Sequence, residues 1–412
     1  MMKELMEPSG RHKGKRWLVV LVVPVLIAGY CTWTVRRPAP VVAATQSTVN
    51  AKVAVPAGNG LSWPGGAQAA VGISGSSILQ THGTQVGTPT ASTAKLITAL
   101  AVLRQKPLKP GQQGPVITLT AADVALFNSY NGREGSVVPV QVGEQITEYQ
   151  MLQAIMLPSA NNIADSLAIW AFGSLSDYAT YANGYVSQLG LTATHIGSDA
   201  SGFDPSTVSS AHDLVKLGEL AMQNPVLAEI VGQKTAVLPV GGLVRNVNYL
   251  LGSDGFVGVK TGNTDQAGGV FVGATEGIIG GKQTTIVTAV TGSTNLAMAM
   301  KDSLSLMQSA QNNFQTLSVV EPGNVVARYQ LPWGGSVSAV ADTYIRLRGW
   351  GGGTVPYSVH LKPLPAQAVA GDVVGTVNVP SSAINQARIV TVKLQTTPPP
   401  PPLSWRLTHP LN

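Results

Sequence analysis

GFVGVKTGNTDQAGGVFVGATEGIIGGKQTTIVTAVTG, residues 255–292, is the stretch on which the fold turns. Short runs rich in Val, Ile, Thr and Phe (GFVGVKTG, AGGVFVGATEG and QTTIVTAVTG) are separated by Gly, Asn and Asp, a pattern that predicts three consecutive strands. A helix is expected next, over 295–313. Far upstream, AQAAVGI and SSILQT flank the turn Ser74-Gly75-Ser76 and read as a hairpin around 67–80. Helical spacing lies between these outer strands. TPTASTAKLITALAVL, residues 88–103, sets Leu96, Leu100 and Leu103 on one face of a helix starting near Ser92, with Pro89 just upstream. Residues 148–157 and 162–171 are also helix-like, the second with Ile163, Leu167 and Trp170 on one face, and Leu157-Pro158-Ser159 breaks the pattern between them. A further helix is expected over 211–223. Strands at both ends with helices between predict an α/β (α+β) domain over 62–316, its one antiparallel sheet drawn from distant parts of the chain.

Beyond 316, Ile345 and Leu347 alternate with arginines, and Val390, Val392 and Leu394 with Thr391 and Lys393, so 317–396 reads as a small all-β domain. Pro398 to Pro402 predict a stiff tail over 397–412. Toward the amino terminus, 36–61 is rich in Pro, Ala, Val and Thr and reads as a linker. Before it, residues 17–35 form an uncharged apolar run long enough to cross a bilayer. Lys3, Arg11, Lys13, Lys15 and Arg16 precede the run and Arg36-Arg37 follow it, which places 1–16 in the cytoplasm and the rest of the chain outside. A cleaved signal peptide, cut after Ala43 or Ala44, competes with a retained single-pass anchor, and Arg36-Arg37 favours retention.

Composition narrows the function. The 412 residues carry a net charge of +6, and residues 1–44 hold most of that excess, so the folded part has no basic stripe for nucleic acid. Cys31 is the one cysteine, which excludes an internal disulfide and a cysteine-based zinc site. The six histidines show no metal-ligand spacing, and neither a metal nor a cofactor is expected.

Ser92-Thr93-Ala94-Lys95 places a hydroxyl and an amine three residues apart, on one helix face. A serine needs an adjacent base to become a nucleophile, and lysine serves only when neutral, which burial or a second cation promotes. A second S-x-N element has three candidates: Ser129-Tyr130-Asn131, Ser159-Ala160-Asn161 and Ser293-Thr294-Asn295. The middle one falls in the turn between two apolar helices, a rigid mount for a hydroxyl and an amide. Lys260-Thr261-Gly262 closes the first strand of the opening stretch, supplying a cation, a hydroxyl donor and a position without side-chain bulk.

In this order and context the motifs resemble those of the penicillin-binding serine acyl-transferases, among them the low-molecular-mass D-alanyl-D-alanine carboxypeptidases. Pro89 to Leu100, Met156 to Asn162, Asp199-Ala200-Ser201-Gly202-Phe203, and Asp254-Gly255 with Thr264 to Gly268 all look like family segments. The β-rich region resembles the small sandwich behind the family's catalytic domain. The resemblance implies that Ser92 is acylated, that Lys95 takes its proton and that Ser159 relays a proton to the leaving D-alanine. It implies that Asn161 holds the substrate amide or positions Lys95, and that Lys260 and Thr261 bind the terminal carboxylate. The backbone N–H groups of Ser92 and Asn263 would form the oxyanion hole. The implied substrate is a peptidoglycan stem pentapeptide, with β-lactams as covalent inhibitors. Met300-Lys301 stands where an arginine assisting the carboxylate would be sought. A serine β-lactamase shares the three elements, but no Glu occurs between Asn161 and Glu219 for deacylation. A non-catalytic penicillin or peptidoglycan sensor is the other alternative, and intact Ser92, Lys95, Ser159 and Lys260 argue against it.

Overall fold

The computed structural model describes residues 13–44 and 48–409. Of the stretch 1–16 expected in the cytoplasm, residues 1–12 lie outside the described residues. The opening stretch forms the strands Phe256–Thr264, Gly268–Ile279 and Lys282–Ser293, and the early hairpin forms Gln68–Ile73 and Leu79–His82. They join in one antiparallel sheet whose order runs 256–264, 268–279, 282–293, 68–73, 79–82. The strand Gly268–Ile279 is buried over most of its length because both faces are covered. Val270, Val272 and Ala274 join a helical core with Leu214 and Leu217, while Phe271 between them packs with Met300 and Leu306 of the helix Leu296–Asn312. Successive side chains point to opposite faces, so one helical layer sits on each side. At Gly218 an added Cβ would fall 2.8 Å from Val272 and Val287, so the helix Ala211–Gln223 rests directly on the strands.

The helices Glu148–Met156 and Asn161–Phe172 flank the expected break at Ser159. Near Ser92 the chain first makes a 3₁₀ turn, Ala91–Ala94, and the α-helix begins only at Lys95. The nucleophile candidate therefore sits in a tight turn ahead of the helix, with its base candidate at the first α-helical position.

The carboxy-terminal region is all β. A six-stranded sheet runs in the order 48–54, 354–361, 373–379, 388–394, 336–341, 325–330, beside the pair Phe314–Val320 and Ile345–Trp350. Val337, Ala339, Leu347, Val359, Val377 and Val392 form its core. Two expectations need correction here. The stretch 36–61 is not a free linker: Thr48–Ala54 pairs along the whole strand Thr354–Leu361, and Val42 bridges Leu364. Pairing along one edge satisfies the backbone groups that face its partner while alternate side chains remain exposed, so little apolar signal marks it. Nor does the expected stiff tail over 397–412 stand apart from the rest of the chain. Trp333 Nε1 donates to Pro399 O at 2.9 Å, and the short helix Leu403–Thr408 follows. Arg406 in that helix donates to the carbonyls of Thr34 and Arg37, around the end of the first helix.

The expected span 17–35 lies within the helix Lys13–Arg36, whose side chains are described from residue 22. Among the described residues, no helix is long and apolar enough to cross a membrane.

Candidate active site

The turn Ala91–Ala94, the break at Ser159 and the strand Phe256–Thr264 converge on one place. Lys95 Nζ lies 2.8 Å from Ser92 Oγ, 2.7 Å from Asn161 Oδ1 and 3.0 Å from the Ser201 carbonyl. The two oxygens of Asn161 and Ser201 can only accept, so they take two N–H groups of the amine. A neutral amine then has its lone pair left for the hydroxyl proton of Ser92. Lys95 is 0 % exposed. Burial drives its pKa from 10.5 down to about 7, against the nearby charges of Asp199 and Asp165, which favour the ammonium. A base poised near neutrality is what proton abstraction from Ser92 requires.

Ser159 adopts a left-handed backbone conformation, φ 68°, at the break between the two helices. For a residue bearing a Cβ this is an uncommon and strained conformation. Its hydroxyl accepts a hydrogen bond from Lys260 Nζ at 2.9 Å, and the same amine donates to the Thr261 carbonyl. Burial holds the Lys260 pKa well below its ordinary value, and the charge of Lys95 pushes in the same direction. Two buried amines in one site cannot both be charged cheaply. An incoming carboxylate would restore the positive charge of Lys260.

Gly262 explains why the strand can lie so near the nucleophile. A Cβ there would stand 2.9 Å from Thr90 O and 3.1 Å from the backbone nitrogens of Ser92 and Thr93. Thr261 is buried, whereas Asn263, two residues on, is exposed at the mouth. Asn263, Thr264, Asp265 and Gln266 form one wall of a 600 Å³ polar cavity, with Tyr130, Arg133 and Phe203 among the residues opposite.

All the sequence-derived candidates, Ser92, Lys95, Ser159, Asn161, Lys260, Thr261, Gly262 and Asn263, thus belong to this site or its rim. Lys301 does not join them: it stands exposed on the helix Leu296–Asn312, whose packing face meets the sheet. The motifs also omit part of the site's framework. Asp199 accepts from the backbone nitrogens of Ser201, Gly202 and Asp204, which shapes the loop that offers the Ser201 carbonyl to Lys95. Gly202, φ 73°, lets this loop press on the nucleophile turn, where a Cβ would overlap Ala91 O. Tyr130 and Asp165 stand behind Lys95, joined by a 2.6 Å hydrogen bond. Tyr130 was visible only as the middle of a set-aside S-x-N triplet, and Asp165 is four residues, one helical turn, beyond Asn161.

The chain is similar to known proteins in sequence and in fold. The sequence profile of the D-alanyl-D-alanine carboxypeptidases, peptidase S11, matches residues 66–295. The D-alanyl-D-alanine carboxypeptidase DacB2 of Mycobacterium tuberculosis is 35% identical over 196 residues, 46% of this chain and 62% of its own length. The match thus spans less than two thirds of that relative. The crystal structure of the Streptomyces K15 DD-transpeptidase superposes with a TM-score of 0.52 at 26% identity, covering 58% of this chain and 95% of its own. Penicillin-binding protein 5 from Haemophilus influenzae, at 20% identity, has the same fold with a TM-score of 0.55, covering 82% of this chain and 98% of its own. An 82% share is more than residues 62–316 alone could supply, so the shared fold includes part of the chain outside that stretch.

Proposed function

Because the chain belongs to the D-alanyl-D-alanine carboxypeptidase family, we propose that it removes the terminal D-alanine from peptidoglycan stem pentapeptides through an acyl-enzyme on Ser92, and that β-lactams acylate the same oxygen. The observation that carries this reading is the 2.8 Å contact between Ser92 Oγ and the buried, pKa-depressed amine of Lys95. Neutral Lys95 takes the hydroxyl proton as Oγ attacks the carbonyl of the penultimate D-alanine. The oxyanion that forms is held by the backbone N–H groups of Ser92 and Asn263. On collapse, the C–N bond breaks and the leaving amine receives a proton through Ser159, which Lys260 supports by hydrogen bonding. Lys260 and Thr261 bind the terminal carboxylate, Asn161 orients Lys95 or the substrate amide, and Gly262 leaves the peptide room beside the turn. Water then attacks the ester, its proton passing to Lys95, and releases the shortened peptide.

The catalytic domain works outside the cytoplasm in this reading, on a chain anchored through residues 17–35. In support, the first helix leaves Val25, Leu26 and Ile27 largely exposed, an apolar surface that a bilayer would cover.

The test is covalent labelling by a fluorescent penicillin together with release of D-alanine from a pentapeptide. Wild type should do both, and Ser92→Ala should do neither. Label persisting in Ser92→Ala would remove the acyl-enzyme from Ser92, and labelling of wild type without D-alanine release would make the protein a sensor.

A further inference from the structure

A second charged group is buried behind Lys95, and none of the three motifs contains it. Asp165 is 2% exposed. Its Oδ2 accepts from the Tyr130 hydroxyl at 2.6 Å and its Oδ1 from the Ala200 backbone nitrogen at 2.9 Å. Both partners bear on the site. Ala200 immediately precedes Ser201, whose carbonyl holds Lys95, and its own carbonyl is held by Thr98 Oγ1 at 2.6 Å. Asn161, the other acceptor for Lys95, lies one turn earlier on the same face of the helix as Asp165.

Resting on the acyl-enzyme reading above, we propose that Asp165 is a positioning residue for Lys95. It ties the helix bearing Asn161 to the loop bearing Ser201, and its negative charge sets how readily the amine gives up its proton. The charged and titratable groups around it are Lys95 on the nucleophile helix, Asp199 on the loop, Tyr178 on the helix Leu175–Gln188 and Tyr130 on the helix Ala121–Asn131. Arg133 stacks on the Tyr130 ring, 4.8 Å from its centre, at the cavity side. Burial pushes Asp165 up to about 6, against the hydrogen bonds from Tyr130 and Ala200, so at neutral pH it is largely an anion. Burial likewise holds the Tyr130 hydroxyl in its protonated, donating form.

The sign of the effect follows from charge. Asp165 favours the ammonium form of Lys95, so removing its charge moves the acid limb of acylation to lower pH. Asp165→Asn keeps the shape and an acceptor for Ala200 while deleting the charge. In the full chain, the limb for acylation by a fluorescent penicillin should fall by roughly one pH unit, the lower end of what an opposite charge produces, giving about fivefold faster normalised acylation one unit below the wild-type midpoint. Tyr130→Phe removes a bond that favours the ionised carboxyl, so it should shift the limb in the same direction by less. This second variant keeps the test decisive if Asp165→Asn does not fold. A merely structural role would lower rates without moving the limb. An unmoved limb in a folded variant that is still acylated overturns the assignment of Asp165 and leaves the acyl-enzyme reading intact. Failure of wild type to be acylated at Ser92 overturns both.

Discussion

The two halves of the molecule treat charge in opposite ways. Between residues 62 and 312, Lys95, Glu148, Asp165, Asp199, Asp213, Glu219 and Lys260 are all buried. From 313 onward, the buried polar side chains among the described residues are Asn313 and Asn385, and the core is Val, Leu, Ala and Ile with Tyr329. An apolar sheet gains from burial with nothing to offset, whereas desolvating a charge is tolerated only with partners or at a cost in stability. The catalytic domain carries that cost where the chemistry is. Lys95, driven from 10.5 to about 7, is the clearest instance, and the shift corresponds to about 5 kcal/mol between its two protonation states. Among the described residues the β domain buries no charged side chain; its strand Phe314–Val320 starts directly behind the helix Leu296–Asn312, and Phe314 packs edge-on against Trp350 at 5.1 Å.

The contrast is broken most severely by removing the desolvated base. Lys95→Met should lower the rate of penicillin acylation by about a thousandfold, within the range for loss of a general base, while its thermal midpoint stays level or rises. Stopped-flow acylation and differential scanning calorimetry on the same sample check both halves. A midpoint well below wild type would show that Lys95 is a structural support and not a strained base. Next in size is Gly262→Ala. Its Cβ would press on Thr90 O and the nitrogens of Ser92 and Thr93, so acylation should fall by at least about tenfold as strand and turn separate. Fluorescence labelling kinetics measure it, and a wild-type rate would mean that the strand does not need this closeness.

The smallest catalytic effect belongs to the other half. Val377→Ala, in the centre of the β core, should cost about 2 kcal/mol of stability through the cavity it leaves. It should leave the pH profile of acylation in place. A shifted acid limb in that variant would couple the β domain to the site and collapse the contrast.

What could be read without coordinates follows the same division. The sheet was legible because its strands are short, β-branched and punctuated by Gly and Asn, and the nucleophile pair because three residues make nearly one helical turn. The link from Lys95 to Asn161 spans 66 positions and was legible only as order and family likeness. Asp165 and Tyr130 were not legible: each is an ordinary helical residue until the fold sets it behind the amine. The strand Thr48–Ala54 was missed for a related reason. Val49 and Val53 alternate with polar neighbours, but their partner strand lies some 300 residues away, and an edge strand needs no continuous apolar run. The docking of the tail 397–412 was hidden for the same reason: Trp333, which donates to Pro399, and the end of the first helix, which receives Arg406, are remote in sequence.

The central claim is that Lys95 is a neutral amine at the pH where the enzyme acts. It is tested most directly by following the Lys95 side-chain ¹³Cε resonance of the full-length protein, selectively labelled at lysine and assigned with Lys95→Met, from pH 5 to 11. The account predicts a titration centred near 7, coincident with the acid limb of acylation. A titration near the ordinary 10.5, with acylation undiminished at pH 7, would contradict it.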